Sequence, residues 1–249
     1  SPATLGQYTR AQEYASLCSQ NLTSIIQRVT FPILSALQDD KDRLIDNYRR
    51  LIKVSMFVTC MLMIPLGAAS EPLIYCLIGP QWHEATKYLP LICCSMSLYP
   101  LHAINLNMLQ VQGRSDLFLL LEIMKKIVSL IPIFVGVFVG VYWMLLVAIF
   151  TGFICFFLNS YYTGKLLNYS SLRQLKDVAP SYLLSFVVAF CIYFVKYLPL
   201  SNWSVLIIQL VIGFIVGYSL CSFRQQEEFL EIKEIIVELH QETPDLTGT

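Results

Sequence analysis

The chain has 249 residues, 56% of them apolar and 14% charged, with a mean hydropathy of +0.60. Soluble domains average roughly 45–50% apolar and about 25% charged, and one globule of this size cannot hide the surplus in a single core. Seventeen basic residues balance seventeen acidic ones, which together with the apolar excess excludes a disordered chain and a nucleic-acid binder and leaves an all-α, polytopic transmembrane bundle.

A spanning helix needs about 20 mostly apolar residues, because the hydrocarbon core is about 30 Å thick. Seven such stretches are expected, at about 14–37, 54–78, 87–111, 117–139, 141–163, 178–198 and 203–223. The first is the least apolar and contains Arg28; the fifth, VYWMLLVAIFTGFICFFLNSYY, is the cleanest. The runs are continuous and of helix length, which argues against a β-barrel of alternating ten-residue strands. The start, SPATLGQYTRAQ, is polar and lacks the layout of a signal peptide. Pro32, Pro65, Pro90, Pro100 and Pro132 fall within or beside the spans; in a membrane bundle, neighbouring helices can re-satisfy the backbone groups such residues free.

Orientation follows from the positive residues of alternate connections. One side holds Lys41, Arg43, Arg49, Arg50, Lys53, Arg114, Lys165, Arg173, Lys176, Arg224 and Lys233, and the other only Arg10, Lys87 and Lys196. The loop DDKDRLIDNYRRLIK and the C-terminus are therefore expected in the cytoplasm. Seven spans then put the N-terminus outside, so the chain is expected to be the C-terminal part of a longer protein, with at least one span before it. The tail, 224–249, reads as an acidic cytoplasmic segment whose FLEIKEIIVEL forms an amphipathic helix suited to self-packing or to a protein partner.

Ionisable groups at membrane depth are costly and are functional candidates by default. Arg28 and Lys125 each fall roughly 14 Å from the cytoplasmic ends of their spans at 1.5 Å per residue. Glu122, four residues before Lys126, is expected to neutralise Lys126 and to leave Lys125 as the freer cation. Asn21, Ser24 and Arg28 share one helix face, as do Ser95, Tyr99, His102 and Asn105. Such faces suit protein or a water-filled cavity, and their cations suit an anion. The competing reading for a lone Arg28 or Lys125 is snorkelling or a structural ion pair. For His102 an interhelical hydrogen bond is favoured over a proton relay, and Glu71 is placed near the outer interface. The eight cysteines lie in or at the ends of apolar spans without metal-ligand spacing. No catalytic set can be assembled, so no metal, no cofactor and no enzymatic activity are expected.

Four segments carry a resemblance to a known family: LGQYTRAQ at 5–12, VTFPILSALQDDKDRLIDNYRR at 29–50, IGPQW at 78–82 and LQVQGRSDLFLLLEIMKKI at 109–127. They resemble motifs of the Wzx-type polysaccharide flippases of the MATE-like exporter superfamily, the last segment being closest to the colanic-acid and teichuronic-acid exporter subgroup. The resemblance covers roughly residues 5–130. It implies a fourteen-span protein of two lobes, with these spans as its C-terminal lobe and an N-terminal lobe as partner. It further implies a multi-pass protein of the bacterial inner membrane that moves undecaprenyl-pyrophosphate-linked oligosaccharides outward by alternating access, for lipopolysaccharide, capsule or exopolysaccharide synthesis. On that reading Arg28, Lys125 and Lys126 receive the pyrophosphate, Asn21, Ser24, Tyr99, His102, Asn105 and Glu122 supply polarity and charge balance, and Pro65, Pro90 and Pro100 act as hinges. Membrane lipids and other polysaccharide-assembly proteins are the further expected partners. The alternatives are a cation-coupled antiporter of small amphiphiles, which wants cavity acids, and a non-transporting membrane scaffold.

Overall fold

The computed structural model describes residues 2–224; they are helical almost throughout, with no strand among them. The helices are α1 (Pro2–Ala36), α2 (Lys41–Ala68), α3 (Ser70–Leu77), α4 (His83–Met96), α5 (Tyr99–Val111), α6 (Ser115–Phe138), α7 (Val141–Leu167), α8 (Ser171–Val195) and α9 (Asn202–Arg224), with a 3-10 turn at Pro80–Trp82. Every apolar stretch expected to span is mostly helical, but 54–78 is interrupted at Ala69, 87–111 at Ser97 and Leu98, and 178–198 runs past the end of its helix at Val195. Five segments are long and apolar enough to cross a membrane by length and composition: α2, the 3-10 turn with α4 and α5, α7, α8 and α9. The remaining long helices, α1 and α6, carry Arg28 and the Glu122, Lys125, Lys126 group. The amphipathic helix expected within the acidic tail lies outside the described residues.

Two boundaries differ from expectation, each for a packing reason. The polar start is helical from Pro2, because Ala11, Ala15 and Ser19 repeat every four residues and are fully buried, on a helix that packs against α4. Its Gln7 side chain donates to the Gln81 carbonyl and accepts from the Ala85 amide, satisfying a donor in the first turn of α4. The basic loop before the second span is also helix, starting at Lys41. Asp40 caps it by accepting from the Arg43 amide at 3.2 Å. Leu44, Tyr48, Ile52 and Met56 then form a buried stripe at every fourth residue, so this segment is the N-terminal extension of a core helix.

Proline placement decides where the spans break. Pro100 has no amide hydrogen to give the carbonyl of Met96, four residues earlier. The helix accordingly stops at Met96 and restarts at Tyr99 with Pro100 in its first turn. The Ser19 hydroxyl of α1 donates to the Met96 carbonyl at 3.4 Å, and Ser97 hydrogen-bonds with Tyr182 of α8 at 2.7 Å. Pro65 lies inside α2 three residues before its end, and Pro90 lies inside α4. These two helices touch at Gly67, where an added Cβ would stand 3.1 Å from the Pro90 Cα.

The core has two main parts. One gathers Leu34, Leu44, Tyr48, Ile52, Leu101, Ile104, Met108, Phe156 and Tyr169 near the loop ends of α2 and α8. The other gathers Ala11, Ala15, Met63, Ile74, Leu89, Cys93 and Leu145 at the opposite end. Outside them, α6, α7 and α9 present exposed apolar side chains, Phe138 at 82% among them. So much uncovered apolar surface suits lipid rather than water.

Candidate cationic face and interior polar network

The candidate residues divide into an outward-facing set and an interior set. On α1, Asn21 and Arg28 are exposed and Ser24 is half-buried. Asn21 donates to the Leu17 carbonyl and Ser24 to the Asn21 carbonyl, so both polar side chains are satisfied within their own helix. Arg28 lies eight residues before the end of α1, about 12 Å along the axis. Beside it Ile25 and Val29 are also exposed. Tyr99, at the start of α5, is exposed as well.

On α6 the pairing differs from the one expected. Glu122 joins Lys125, three residues on, in an ion pair whose lysine side chain is only 19% exposed. Lys126 is exposed, with no acidic partner within 4.0 Å among the described residues. The sequence spacing favoured the four-residue pair, but α5 and α7 cover the Lys125 side of α6. A cation turned into the bundle needs a neutralising partner more than one turned out of it. Arg28 and Lys126, rather than Lys125, are therefore the cations on open faces. Their helices, α1 and α6, both pack on α5.

His102 lies within electrostatic range of Lys125 and meets Asn159 of α7 through Nδ1 at 3.1 Å. This is the interhelical hydrogen bond expected of it. Asn159 is fully buried, and its Oδ1 has no hydrogen-bond partner among the described residues. Asn105, expected on a cavity face, is also fully buried. Its Oδ1 accepts from the Tyr48 hydroxyl at 2.9 Å, and its Nδ2 donates to the Leu101 carbonyl and to Gln174 Oε1. Its own carbonyl accepts from Thr163 at 3.4 Å. One side chain thus joins α2, α5 and α8, with α7 added through the backbone. Within these contacts Asn105 serves the bundle's architecture, because an Asn on the inner side of α5 finds polar partners on α2 and α8. Glu71 pairs with Lys196 at 3.4 Å at the end of the bundle away from Arg49.

Sequence reasoning missed Tyr48, Asn159 and Gln174. Tyr48 and Gln174 fell in stretches read as loops. Asn159 carried a usable signal as a strongly polar residue inside the most apolar span.

The eight cysteines are free thiols, and no group of three or more metal-binding side chains occurs among the described residues. Long apolar helices, lipid-suited faces and a paired charge cluster at depth define a polytopic helical membrane protein. In fold the chain resembles a solved structure: it superposes with a TM-score of 0.74 on the lipid II flippase MurJ in its inward closed conformation, at 17% identity, over 90% of this chain and 48% of that one.

The sequence comparisons agree with the resemblance to polysaccharide exporters. Residues 1–87 match the family model described as polysaccharide biosynthesis protein. An uncharacterized membrane protein in the cps region of Klebsiella pneumoniae is 27% identical over 197 residues, covering 79% of this chain and 38% of that protein. The lipopolysaccharide biosynthesis protein WzxC of Escherichia coli is 24% identical over 131 residues, covering 53% and 27%. The succinoglycan biosynthesis transport protein ExoT of Rhizobium meliloti is 28% identical over 93 residues, covering 37% and 19%. The matched stretches cover between 19% and 38% of these curated relatives, and the chain is about half their length.

Proposed function

We propose that this chain is one lobe of a polysaccharide exporter that carries lipid-linked oligosaccharides across the bacterial inner membrane, and that it acts as a transporter, not an enzyme. The observation that carries the reading is the character of α1 and α6. These long helices expose Arg28 and Lys126, while α2, α7, α8 and α9 read as ordinary membrane spans. A charge at the centre of lipid costs about 3 kcal/mol or more, so the faces bearing Arg28 and Lys126 call for water or a second lobe. An N-terminal lobe of the same protein opposite them encloses a cationic cavity, and a pyrophosphate is an anion such a cavity compensates.

In this mechanism the cavity opens to one side of the membrane at a time as the two lobes rock about a site near the midplane. The sugar crosses in the hydrated space while the polyprenyl tail stays in lipid. Lys125, held by Glu122, contributes field but little net charge, and Arg28 and Lys126 make the direct contacts. The interruptions at Pro65, Pro90 and Pro100 are the places where α2, α4 and α5 bend with least loss of hydrogen bonding. The basic ends of α2 and α8 lie in the cytoplasm, by the excess of Lys and Arg there, and the seven apolar stretches all span. The names of the relatives supply the polymer class: lipopolysaccharide for WzxC and succinoglycan for ExoT.

The test is complementation of a flippase-deficient strain by the full-length protein, scored as surface polymer at matched membrane expression. Arg28→Ala and Lys126→Ala each lower export, and the double variant abolishes it. Export unchanged in the double variant overturns the assignment of these cations.

A further inference from the structure

At the loop end of α7 and α8 the structure holds a recess whose lining includes neither Arg28 nor Lys126. It has a volume of about 390 Å³ and is lined by Ile45 and Arg49 of α2, Asn168 and Tyr169 of the connection, and Arg173, Lys176 and Asp177 of α8. Local chemistry builds it. Asn168 adopts a left-handed conformation (φ 54°) that ends α7, and Ser170 caps α8 by accepting from the Arg173 amide. Three residues between long helices thus throw the start of α8 against the start of α2.

Asp177 is the pivot. Its Oδ2 accepts from Arg49 Nε at 3.1 Å, from Arg49 Nη2 at 3.0 Å and from the Tyr169 hydroxyl at 2.7 Å. The Arg49 guanidinium also lies over the Tyr169 ring, 5.3 Å from its centroid. Burial and the Asp177 carboxylate push the Tyr169 phenol above its ordinary pKa, so it stays a donor. One carboxylate therefore fixes Arg49 and Tyr169 in place but offsets only one of three cations. Arg173 spends one donor on the Asn168 carbonyl at 3.3 Å, and Lys176 has no ion pair within 4.0 Å among the described residues. The recess keeps an excess of two positive charges, and the first turn of α8 adds the positive end of a 25-residue helix.

Its level along the bundle suggests the ligand. Arg49 lies five residues before the apolar run that opens at Val54, and Asp177 immediately before the one that opens at Val178. The recess thus lies where the helices pass from polar ends to apolar spans, the level of lipid headgroups. We propose that this recess is a phosphate-binding site, with Arg173 and Lys176 as the direct ligands and Arg49 positioned by Asp177 as the third cation. A phosphate there exchanges surplus cation–cation repulsion for charge-assisted hydrogen bonds. Basic pockets between membrane helices on the cytoplasmic side take anionic headgroups by this physics. The same chemistry is offered by a lipid phosphodiester and by free phosphate.

The experiment uses the purified full-length protein in neutral detergent and follows its thermal midpoint. Titrants are phosphatidylglycerol, phosphatidylcholine and inorganic phosphate, each alone. Phosphatidylglycerol raises the midpoint of the native protein saturably and phosphatidylcholine does not. In Arg173→Gln/Lys176→Gln the concentration for half the shift rises about tenfold or more, since one lost charge-assisted bond already corresponds to that factor. Lys165→Gln, an exposed cation in the last turn of α7 outside the recess, leaves the response unchanged. A shift reproduced by inorganic phosphate and lost in the double variant keeps the phosphate site and makes its source soluble. No shift with any titrant, equal shifts with the two lipids, or an undiminished shift in the double variant overturns the proposal.

Discussion

Replacing Asn105 by Leu separates an architectural role from a role in an open cavity. Leucine keeps the branched four-heavy-atom skeleton of asparagine, so the change removes hydrogen bonds and leaves no void. The native amide joins Tyr48 at 2.9 Å and Gln174 at 3.1 Å, and both Asn105 and Tyr48 are fully buried. The substitution strips the Tyr48 hydroxyl and Gln174 Oε1 of that partner. A buried polar group left unpaired costs about 1–3 kcal/mol, whereas interhelical hydrogen bonds within membranes average about 0.6 kcal/mol by double-mutant cycles. Burial decides between these scales: Asn105 and Tyr48 are both fully buried, and two groups lose the partner at once, so a loss of about 2–4 kcal/mol is expected. The assay is reversible unfolding of the full-length protein in mixed micelles, run on Asn105→Leu, Tyr48→Phe and the pair together. Removing both partners leaves fewer orphaned groups than the two single changes imply, so the double variant is more stable than their sum by about 1 kcal/mol. Stability of Asn105→Leu within about 0.5 kcal/mol of native, with export abolished, refutes the architectural reading and returns Asn105 to the cavity.

Gly67→Val puts a branched side chain where even a Cβ stands 3.1 Å from the Pro90 Cα and 3.4 Å from the Cys93 Cβ. The α2–α4 contact must open, at a cost of about 1–3 kcal/mol, read as a lowered thermal midpoint; an unchanged midpoint contradicts the close approach. At the start of α6, the Arg114 guanidinium donates to both oxygens of Asp116 at 2.9 and 2.8 Å and holds its carboxyl down at about 2, from an ordinary 3.8. A lowered folded-state pKa stabilises above the ordinary value and loses that contribution as the pH falls toward about 2. Carboxyl carbon NMR should therefore show Asp116 titrating near pH 2, and Arg114→Ala should return the midpoint toward 3.8.

Composition and hydropathic run length alone determined the class of this protein, because lipid imposes one demand on every spanning segment: apolar side chains over about 20 residues with the backbone bonded internally. That demand is local, so the stretches around 141–163 and 203–223 were legible without any knowledge of their neighbours. The cations at depth were legible for the same reason, since a charge among apolar residues stands out whatever surrounds it. Partner choice was not legible. Glu122 could reach Lys125 or Lys126 by helical spacing, and only the packing of α5 and α7 selected Lys125. Asn105 and Arg28 looked alike as polar residues in spans; tertiary structure buried one among Tyr48 and Gln174 and left the other exposed. The basic segment at 41–53 read as loop because its charges hid the stripe of Leu44, Tyr48 and Ile52, which has meaning only once α8 covers it. The recess at Arg49 and Asp177 joins residues 128 apart in the chain. Such a pairing depends on how two helix ends meet, and no local pattern in the sequence encodes it.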